Sequence, residues 1–137
     1  MKIYKGKINY IKKNWIFCFG SNTQGRHMKG SARFALDICG AQYGNPKGLQ
    51  GNSYAIITKD LTKKKHPSIR KEFIIKQIGE LYEFANEHKE LLFFVAYSGL
   101  GQNLNGYTNQ EMASMFSAFN KIPENIVFEI NFSKLLK

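Results

Sequence analysis

Residues 15–35 read WIFCFGSNTQGRHMKGSARFA, and this stretch decides the fold class. An unbroken apolar run over residues 15–19 stops at Gly20, and a second glycine-containing turn, residues 25–30, leads into residues with helical spacing. The pattern predicts a strand, a loop and a helix in succession. At the carboxyl end of a strand in an α/β sheet, such a loop exposes main-chain amides and a helix amino terminus, which favour an anion such as a phosphate. The stretch therefore predicts a nucleotide-binding loop.

The composition indicates one globular domain. The chain has 137 residues, of which 43% are hydrophobic, enough to bury a single core. No apolar run approaches the roughly 18 residues that span a bilayer, and the amino-terminal segment lacks the apolar core of a secretion signal. We therefore expect a single domain over residues 1–137, located in the cytoplasm and without a membrane partner.

Neither the cysteines nor the histidines have the spacing of a metal site. Cys18 lies in the apolar run and Cys39 near the end of the first predicted helix, without a CxxC motif. We expect both to be small buried apolar residues. His27, His66 and His88 are far apart in the sequence, so we expect no metal and no cofactor. In the first loop, His27 either contacts a ribose or phosphate or is solvated.

The formal net charge of +10, from 20 basic and 10 acidic side chains, would attract any polyanion, including RNA, DNA or a nucleotide. The densest basic cluster, residues 63–65, falls in a predicted loop, and Lys12 and Lys13 lie between two predicted strands. These lysines either contact phosphates without reading sequence or form a solubilising surface. A non-catalytic nucleic-acid-binding module is therefore an alternative function. It is weakened because most aromatic residues, including Phe17 and Phe19, lie in buried runs and cannot stack on bases.

Strands and helices are predicted to alternate along the chain. Apolar runs with flanking turn residues predict strands over residues 15–19, 53–58, 91–97 and 125–132. Residues 3–11 are predicted to form a first strand or ribbon that is broken at Gly6. Helical spacing predicts helices over about residues 29–39 and 66–87, and a capping box of Thr108 and Glu111 predicts a third. This order implies an α/β fold with a largely parallel sheet covered on both faces.

Ligands of parallel sheets bind beyond the carboxyl ends of the strands. This rule selects residues 20–30, 58–60 and 98–107, which would line one cleft if the strands before them are neighbours. In the first segment, the Asn22 carboxamide suits the hydroxyls of a sugar. The third segment has more glycines than one turn requires, so we expect it to wrap a diphosphate. Alternatively the glycines only permit turns, which is the preferred interpretation of Gly25 taken alone.

Three stretches together resemble the macro domain superfamily, whose members bind ADP-ribose. They are FGSN at residues 19–22, SYAIITKD at 53–60 and YSGLGQNLNGY at 97–107, and the resemblance extends over about residues 15–119. The chain is most similar to a compact bacterial and phage-type branch. The resemblance implies a three-layer α/β/α sandwich with a mixed, largely parallel central sheet, and a domain that binds ADP-ribose or a related ADP-ribosyl group.

Carried over by position, the resemblance places Asn22 at the distal ribose, Gly30 and Ser31 at its border, and residues 98–107 around the phosphates. Tyr107, at the end of that loop, either stacks on a sugar or base or covers the core. With the loop residues considered above, the expected ligand contacts are Gly20, Ser21, Asn22, Gly25, His27, Gly30, Ser31, Thr58, Ser98, Gly99, Leu100, Gly101, Gln102, Asn103, Gly106 and Tyr107.

The segment IITKDLTKKKHPS, residues 56–68, resembles macro domains that remove ADP-ribose from protein carboxylates or nucleic acid bases. In those hydrolases a lysine at the position of Lys59 attacks the anomeric carbon of the distal ribose, and an aspartate assists it. Here Gln102 or Asn103 replaces the aspartate, and we assign Asn103 to the second catalytic position. Because an amide cannot act as a base, Lys59 either catalyses with this altered partner or only pairs with phosphate or with Asp60.

Three functions therefore follow from the resemblance and the charge. We expect the protein to bind ADP-ribose or a related ADP-ribosyl group, either with or without hydrolysing it from a modified protein or nucleic acid, or to sequester an ADP-ribose-type signalling nucleotide without turnover. The alternative from the charge is the nucleic-acid-binding module, whose affinity would fall steeply with salt.

Overall fold

The structure is a computed structural model that describes residues 1–96 and 105–136. Within these residues the chain forms six strands and four helices. In chain order they are β1 (Lys2–Tyr4), β2 (Trp15–Asn22), α1 (Gly30–Ile38), β3 (Gly48–Gln50), β4 (Ser53–Lys59), α2 (Lys71–Glu87), β5 (Leu92–Val95), α3 (Asn109–Phe116), β6 (Ile126–Glu129) and α4 (Ile130–Ser133). The strands make one sheet in the order β1-β6-β5-β2-β4-β3.

The sheet is mixed and mostly parallel. Strands β1, β6, β5, β2 and β4 run parallel, and β3 is antiparallel to its neighbour β4. Helix α2 connects β4 to β5 and helix α3 lies between β5 and β6, as parallel pairing requires a crossover. The predicted α/β class with a largely parallel sheet is therefore confirmed.

Side chains of β2 alternate between two cores on opposite faces of the sheet. Ile16 and Cys18 belong to the larger core, formed with α2, α3 and α4, whereas Phe17 and Phe19 belong to a smaller core formed with α1. The connection from β1 to β2 also contributes apolar side chains to the smaller core. Because both faces are covered, β2 has an unbroken apolar sequence over residues 15–19.

Two predicted features are confirmed in detail. The capping box forms at α3, where the Glu111 main-chain N–H donates to Thr108 Oγ1 at 3.0 Å and the Thr108 N–H donates to Glu111 Oε1 at 2.8 Å. Cys18 and Cys39 are both buried. Burial raises the pKa of the Cys39 thiol to about 11 and also raises that of Cys18, so both stay protonated and apolar.

The predicted element boundaries are wrong at two places early in the chain. The strand or ribbon expected over residues 3–11 is interrupted near Gly6, as predicted, where φ is +91°, but β1 ends at Tyr4 and residues 7–11 form no strand. Strand β3 was not predicted, because its three residues lie inside a glycine-rich segment with no period of its own.

Two later boundaries also differ. Helix α2 begins at Lys71, not at residues 66–68, because the Ser68 hydroxyl accepts a hydrogen bond from the Asp60 main-chain N–H and lies 2.7 Å from His66 Nδ1. The last strand ends at Glu129. Its carboxylate caps α4 by accepting from the main-chain N–H groups of residues 131 and 132, and this starts a helix where a strand was expected.

No helix in the described ranges is long and apolar enough to cross a membrane. The longest, α2, has 17 residues and buries only one side against the larger core.

Candidate functional site

The carboxyl ends of β5, β2 and β4 lie side by side at one edge of the sheet, since these strands are parallel neighbours. The segments selected from the sequence therefore follow adjacent strands, which meets the condition under which they would line one cleft. We call residues 20–31 and 58–60, with Gly106, the strand-end region. Six of the predicted ligand contacts fall outside the described residues, namely Ser98, Gly99, Leu100, Gly101, Gln102 and Asn103.

Gly106, at the end of the third segment, lies beside the loop that follows β4. A Cβ placed on Gly106 would overlap the main chain of His66 and Pro67, and Gly106 has a φ of +88°. The end of the third segment is thus packed directly against the loop after β4. Gly106 therefore has a packing role there, and only glycine fits.

Lys59 lies next to the loop that follows β2. It is the Cα partner of Asn22 across the β2–β4 pair, where the register is irregular, and its carbonyl oxygen accepts from the Thr23 N–H at 3.0 Å. The Lys59 side chain is half-buried, and none of the ion pairs among the described residues includes it. The Lys59 amine therefore makes no ion pair with a carboxylate of the described residues.

Asp60, the alternative partner of Lys59, is engaged elsewhere. Its Oδ1 accepts from the Thr62 hydroxyl at 2.7 Å and the Thr62 N–H at 2.9 Å, and the Thr23 hydroxyl lies 3.3 Å away. The bonds from Thr62 hold the pKa of Asp60 below its usual value. Asp60 therefore organises the turn after β4, and its pair with Lys59, one of the alternatives for that lysine, does not form.

The Asn22 carboxamide closes its own loop. Its Nδ2 donates to the Arg26 carbonyl oxygen at 2.9 Å, and its Oδ1 accepts from the Arg26 main-chain N–H at the same distance. A carboxamide has two N–H donors and two oxygen lone pairs, so one of each remains for a ligand. Asn22 thus orders the loop first and can contact a sugar only with its remaining groups.

His27 faces the protein interior rather than solvent. Its side chain is 0% exposed and its ring packs edge-on against Phe19, with centroids 5.1 Å apart. Nε2 lies 3.1 Å from the Asn45 carbonyl oxygen, and because a carbonyl only accepts, Nε2 is the protonated nitrogen. Nδ1 has no hydrogen-bond partner among the described residues. The solvated alternative for His27 is therefore wrong.

Gly25 packs on the same neighbouring loop, residues 40–47. It has a φ of +67°, and an added Cβ would lie 2.6 Å from the Gly44 carbonyl carbon. Sequence reasoning missed the residue that holds that loop, Gln50, which accepts from the Gln42 N–H and donates to the Asn45 carbonyl oxygen. Its only signal in the sequence was a glutamine in a segment otherwise rich in glycine.

The amino terminus of α1 is open. Lys29 is the N-cap residue and makes no side-chain capping bond, and the first turn contains no acidic residue. Gly30 and Ser31 are exposed, and a Cβ added to Gly30 would have nothing within 4 Å. The first main-chain N–H groups of this nine-residue helix therefore receive no capping bond from Lys29, which favours an anion at this end.

Four other predicted contacts sit in or close to the sheet. Ser21 and Thr58 are buried, and the Thr58 hydroxyl lies 3.4 Å from the Ser21 carbonyl oxygen. Gly20 is exposed, and a Cβ there would lie 3.1 Å from Thr58 Oγ1. Tyr107 is buried in the larger core and its hydroxyl donates to the Ile69 carbonyl oxygen. Of the two alternatives for Tyr107, the structure therefore favours the one in which it covers the core.

Two clefts in the described part of the chain lie at the opposite edge of the sheet. They measure about 330 and 270 Å³ and share Lys121, Pro123 and Glu124, which precede β6. No predicted site residue within the described ranges lines either cleft. We give more weight to the strand-end region, because main-chain donors and polar side chains from several elements meet there.

Among residues 1–96 and 105–136, no group of three or more His, Cys, Asp or Glu side chains could hold a metal ion. Neither a protein-family model, nor a curated protein, nor a solved structure matches this chain.

Proposed function

We propose that the protein binds ADP-ribose or a related ADP-ribosyl group at the strand-end region, within a three-layer α/β/α sandwich of the macro type. The observation that carries the proposal is the position of the open α1 amino terminus, Asn22 and Lys59 at the carboxyl ends of neighbouring parallel strands. Ligands of α/β sheets bind at this edge.

The chemistry of the region fits a ribose joined to phosphates. The free N–H and lone pair of the Asn22 carboxamide can pair with two sugar hydroxyls. The amides at the start of α1 and the basic side chains of Arg26 and Lys29 supply positive potential for a diphosphate. The groups for the sugar and those for the diphosphate lie on or next to one short loop, which the Asn22–Arg26 bonds and the Gly25–Gly44 contact hold in place.

Hydrolysis is the extension of this proposal that depends on Lys59. Its amine is the one nucleophilic group that the resemblance places at the distal ribose. Binding without turnover, as in sequestering a nucleotide signal, is the second candidate function. It is favoured by Asp60, the nearest carboxylate in the sequence, because the Thr62 bonds to this carboxylate make it a poor base.

The test is isothermal titration with ADP-ribose, with AMP and ribose 5-phosphate as controls. Binding of ADP-ribose with little or no binding of either fragment supports a site that spans both phosphates. Ser31→Glu should weaken ADP-ribose binding at least about tenfold, because it places a carboxylate at the α1 amino terminus, where it also stabilises the helix. Ser114→Glu on the exposed side of α3 is the matched control. No binding of ADP-ribose by the folded protein would overturn the proposal.

A further inference from the structure

The connection between β1 and β2, residues 5–14, forms a basic strap over the sheet. It carries Lys5, Lys7, Lys12 and Lys13, all exposed, and no acidic residue. The strap is held in place: its isoleucines pack on the smaller core, and Asn52 Nδ2 donates to the Lys13 carbonyl oxygen at 2.9 Å. Its lysines are therefore displayed from a fixed backbone.

An exposed aromatic ring lies among these lysines. Tyr10 is 55% exposed, and its ring stacks on Trp15 with centroids 5.6 Å apart and planes 30° apart. Trp15 in turn packs on Phe94 of the sheet at 4.6 Å, and Lys12 Nζ lies 5.2 Å from the Trp15 ring centroid. Tyr10 is thus a supported, solvent-accessible ring with a cation beside it.

More lysines lie along the same edge of the sheet. Trp15 is the first residue of β2, and the strand order places β5, β6 and β1 successively beside it. At the start of those strands, Lys2, Lys89 and Lys121 line the cleft of about 270 Å³ with a single acidic residue, Glu124. None of these lysines is in an ion pair among the described residues.

We propose that the strap and this lysine edge bind single-stranded nucleic acid, with one base stacked on Tyr10 and the phosphates contacting the lysines. Unpaired bases expose their faces, and a supported aromatic ring within a basic groove is how proteins hold single strands without reading sequence. A lipid surface would use the lysines but would gain nothing from a planar ring stacked on Trp15. The strap runs from the carboxyl end of β1 to the amino end of β2. Tyr10, Lys12 and the lysine edge lie at the amino ends of the strands, opposite the strand-end region, and do not depend on it.

The test is the binding of a fluorescently labelled twelve-nucleotide oligo-dT, followed by anisotropy. Trp15 is the single tryptophan of the chain, so quenching of its emission reports contact at the strap independently. We expect Tyr10→Ala to weaken binding about tenfold and Tyr10→Phe to retain it, since stacking needs the ring and not the hydroxyl. Because phenylalanine also keeps the packing on Trp15, the loss in Tyr10→Ala is assigned to base stacking only if its thermal unfolding midpoint matches that of the wild type.

The lysines are tested by charge-matched pairs. Lys12→Gln with Lys13→Gln should weaken binding and reduce the slope of log affinity against log salt by about 1.4. Lys63→Gln with Lys64→Gln removes the same charge near the other edge of the sheet. This pair should leave both the affinity for the oligonucleotide and the salt slope unchanged. Neither strap variant should alter ADP-ribose titration, so the two proposals fail or succeed separately.

Four outcomes would overturn the inference. They are equal binding by Tyr10→Ala and the wild type, equal losses in the two lysine pairs, binding of a duplex of the same length as tightly as the single strand, and binding of vesicles containing phosphatidylserine without binding of the oligonucleotide. The last result would assign the strap to an anionic membrane surface instead.

Discussion

The Gly44 main-chain N–H donates to the Gly25 carbonyl oxygen at 2.9 Å, and the two loops approach so closely that only hydrogen fits at the Gly25 α-carbon. This contact joins the loop after β2 to the loop between α1 and β3. The loop after β2 is therefore half of a two-loop unit, and its shape depends on residues outside the strand-end region.

Gly25→Ala should destabilise this unit strongly. The substitution adds a left-handed φ penalty and an overlap with the Gly44 and Asn45 main chain, so we expect a loss of about 2–3 kcal/mol in the free energy of unfolding. Gly48→Ala is the control, because Gly48 has a φ of +85° with nothing within 4 Å of an added Cβ, and should cost only about 1 kcal/mol. If urea unfolding shows the same loss of unfolding free energy in Gly25→Ala and Gly48→Ala, the close approach at Gly25 adds nothing to the cost of the substitution.

His27→Ala should also destabilise the contact between the two loops. The substitution removes a fully buried ring and leaves the Asn45 carbonyl with one donor fewer, so we expect a loss of about 2–4 kcal/mol in thermal or urea unfolding. His88→Ala is the comparison. His88 is half-buried at the end of α2 and stacks on Phe84, and its loss should cost about 1 kcal/mol. A smaller effect at His27 than at His88 would contradict the proposed role.

Part of the fold and of the two-loop unit could be predicted from the sequence, and part could not. The apolar run of β2, the helical spacing of α1 and the Thr108–Glu111 capping box are local patterns, and each forms as predicted. The alternation of strands and helices predicted parallel strands, but it left open whether β5, β2 and β4 are neighbours. The partner of Gly25 could not be predicted, because it lies in a loop about 19 residues away whose path depends on the packing of α1.

Gln77, on helix α2, is a second residue whose role could not be predicted from the sequence. Its position on α2 falls on the apolar stripe with Ile74 and Ile78, so the sequence offers only the signal of a polar residue on a buried face. In the structure its carboxamide accepts from the Ile57 N–H at 2.7 Å and donates to the Ile57 carbonyl oxygen at 2.9 Å. Strand β3 pairs with β4 only as far as Ala55, and Gln77 satisfies the main chain beyond that point.

Gln77→Leu should therefore destabilise the fold although it places an apolar residue in the core. Two buried main-chain groups of Ile57 lose their partners, which costs about 2–4 kcal/mol in the free energy of unfolding. Gln110→Leu, at an exposed position of α3, should change stability by no more than about 0.5 kcal/mol. If Gln77→Leu proves as stable as the wild type, another group must satisfy Ile57.

The buried thiols predict a loss of stability at alkaline pH. Burial raises the pKa of Cys39 to about 11, whereas the unfolded thiol titrates near about 8.5. Above the unfolded value the unfolded chain releases its proton while the folded chain keeps it, so folding stability is complete below that pH and falls as pH rises towards 11. Urea midpoints at pH 7.5 and 10 should show this fall, and Cys39→Ala should reduce it. A fall of the same size in Cys39→Ala would exclude the thiol as a cause.

Lys59 is where binding and catalysis can be told apart. Lys59→Gln removes the charge and should weaken ADP-ribose binding about tenfold if the amine contacts a phosphate, whereas Lys59→Arg should retain binding. If the amine is the nucleophile, both variants lose release of ADP-ribose from a modified protein or oligonucleotide, because neither side chain can attack the anomeric carbon. Lys63→Gln, three residues beyond Asp60, controls for charge and should change neither measurement. Turnover that persists in Lys59→Gln would exclude Lys59 as the nucleophile, and binding without any turnover in the wild type would favour sequestration.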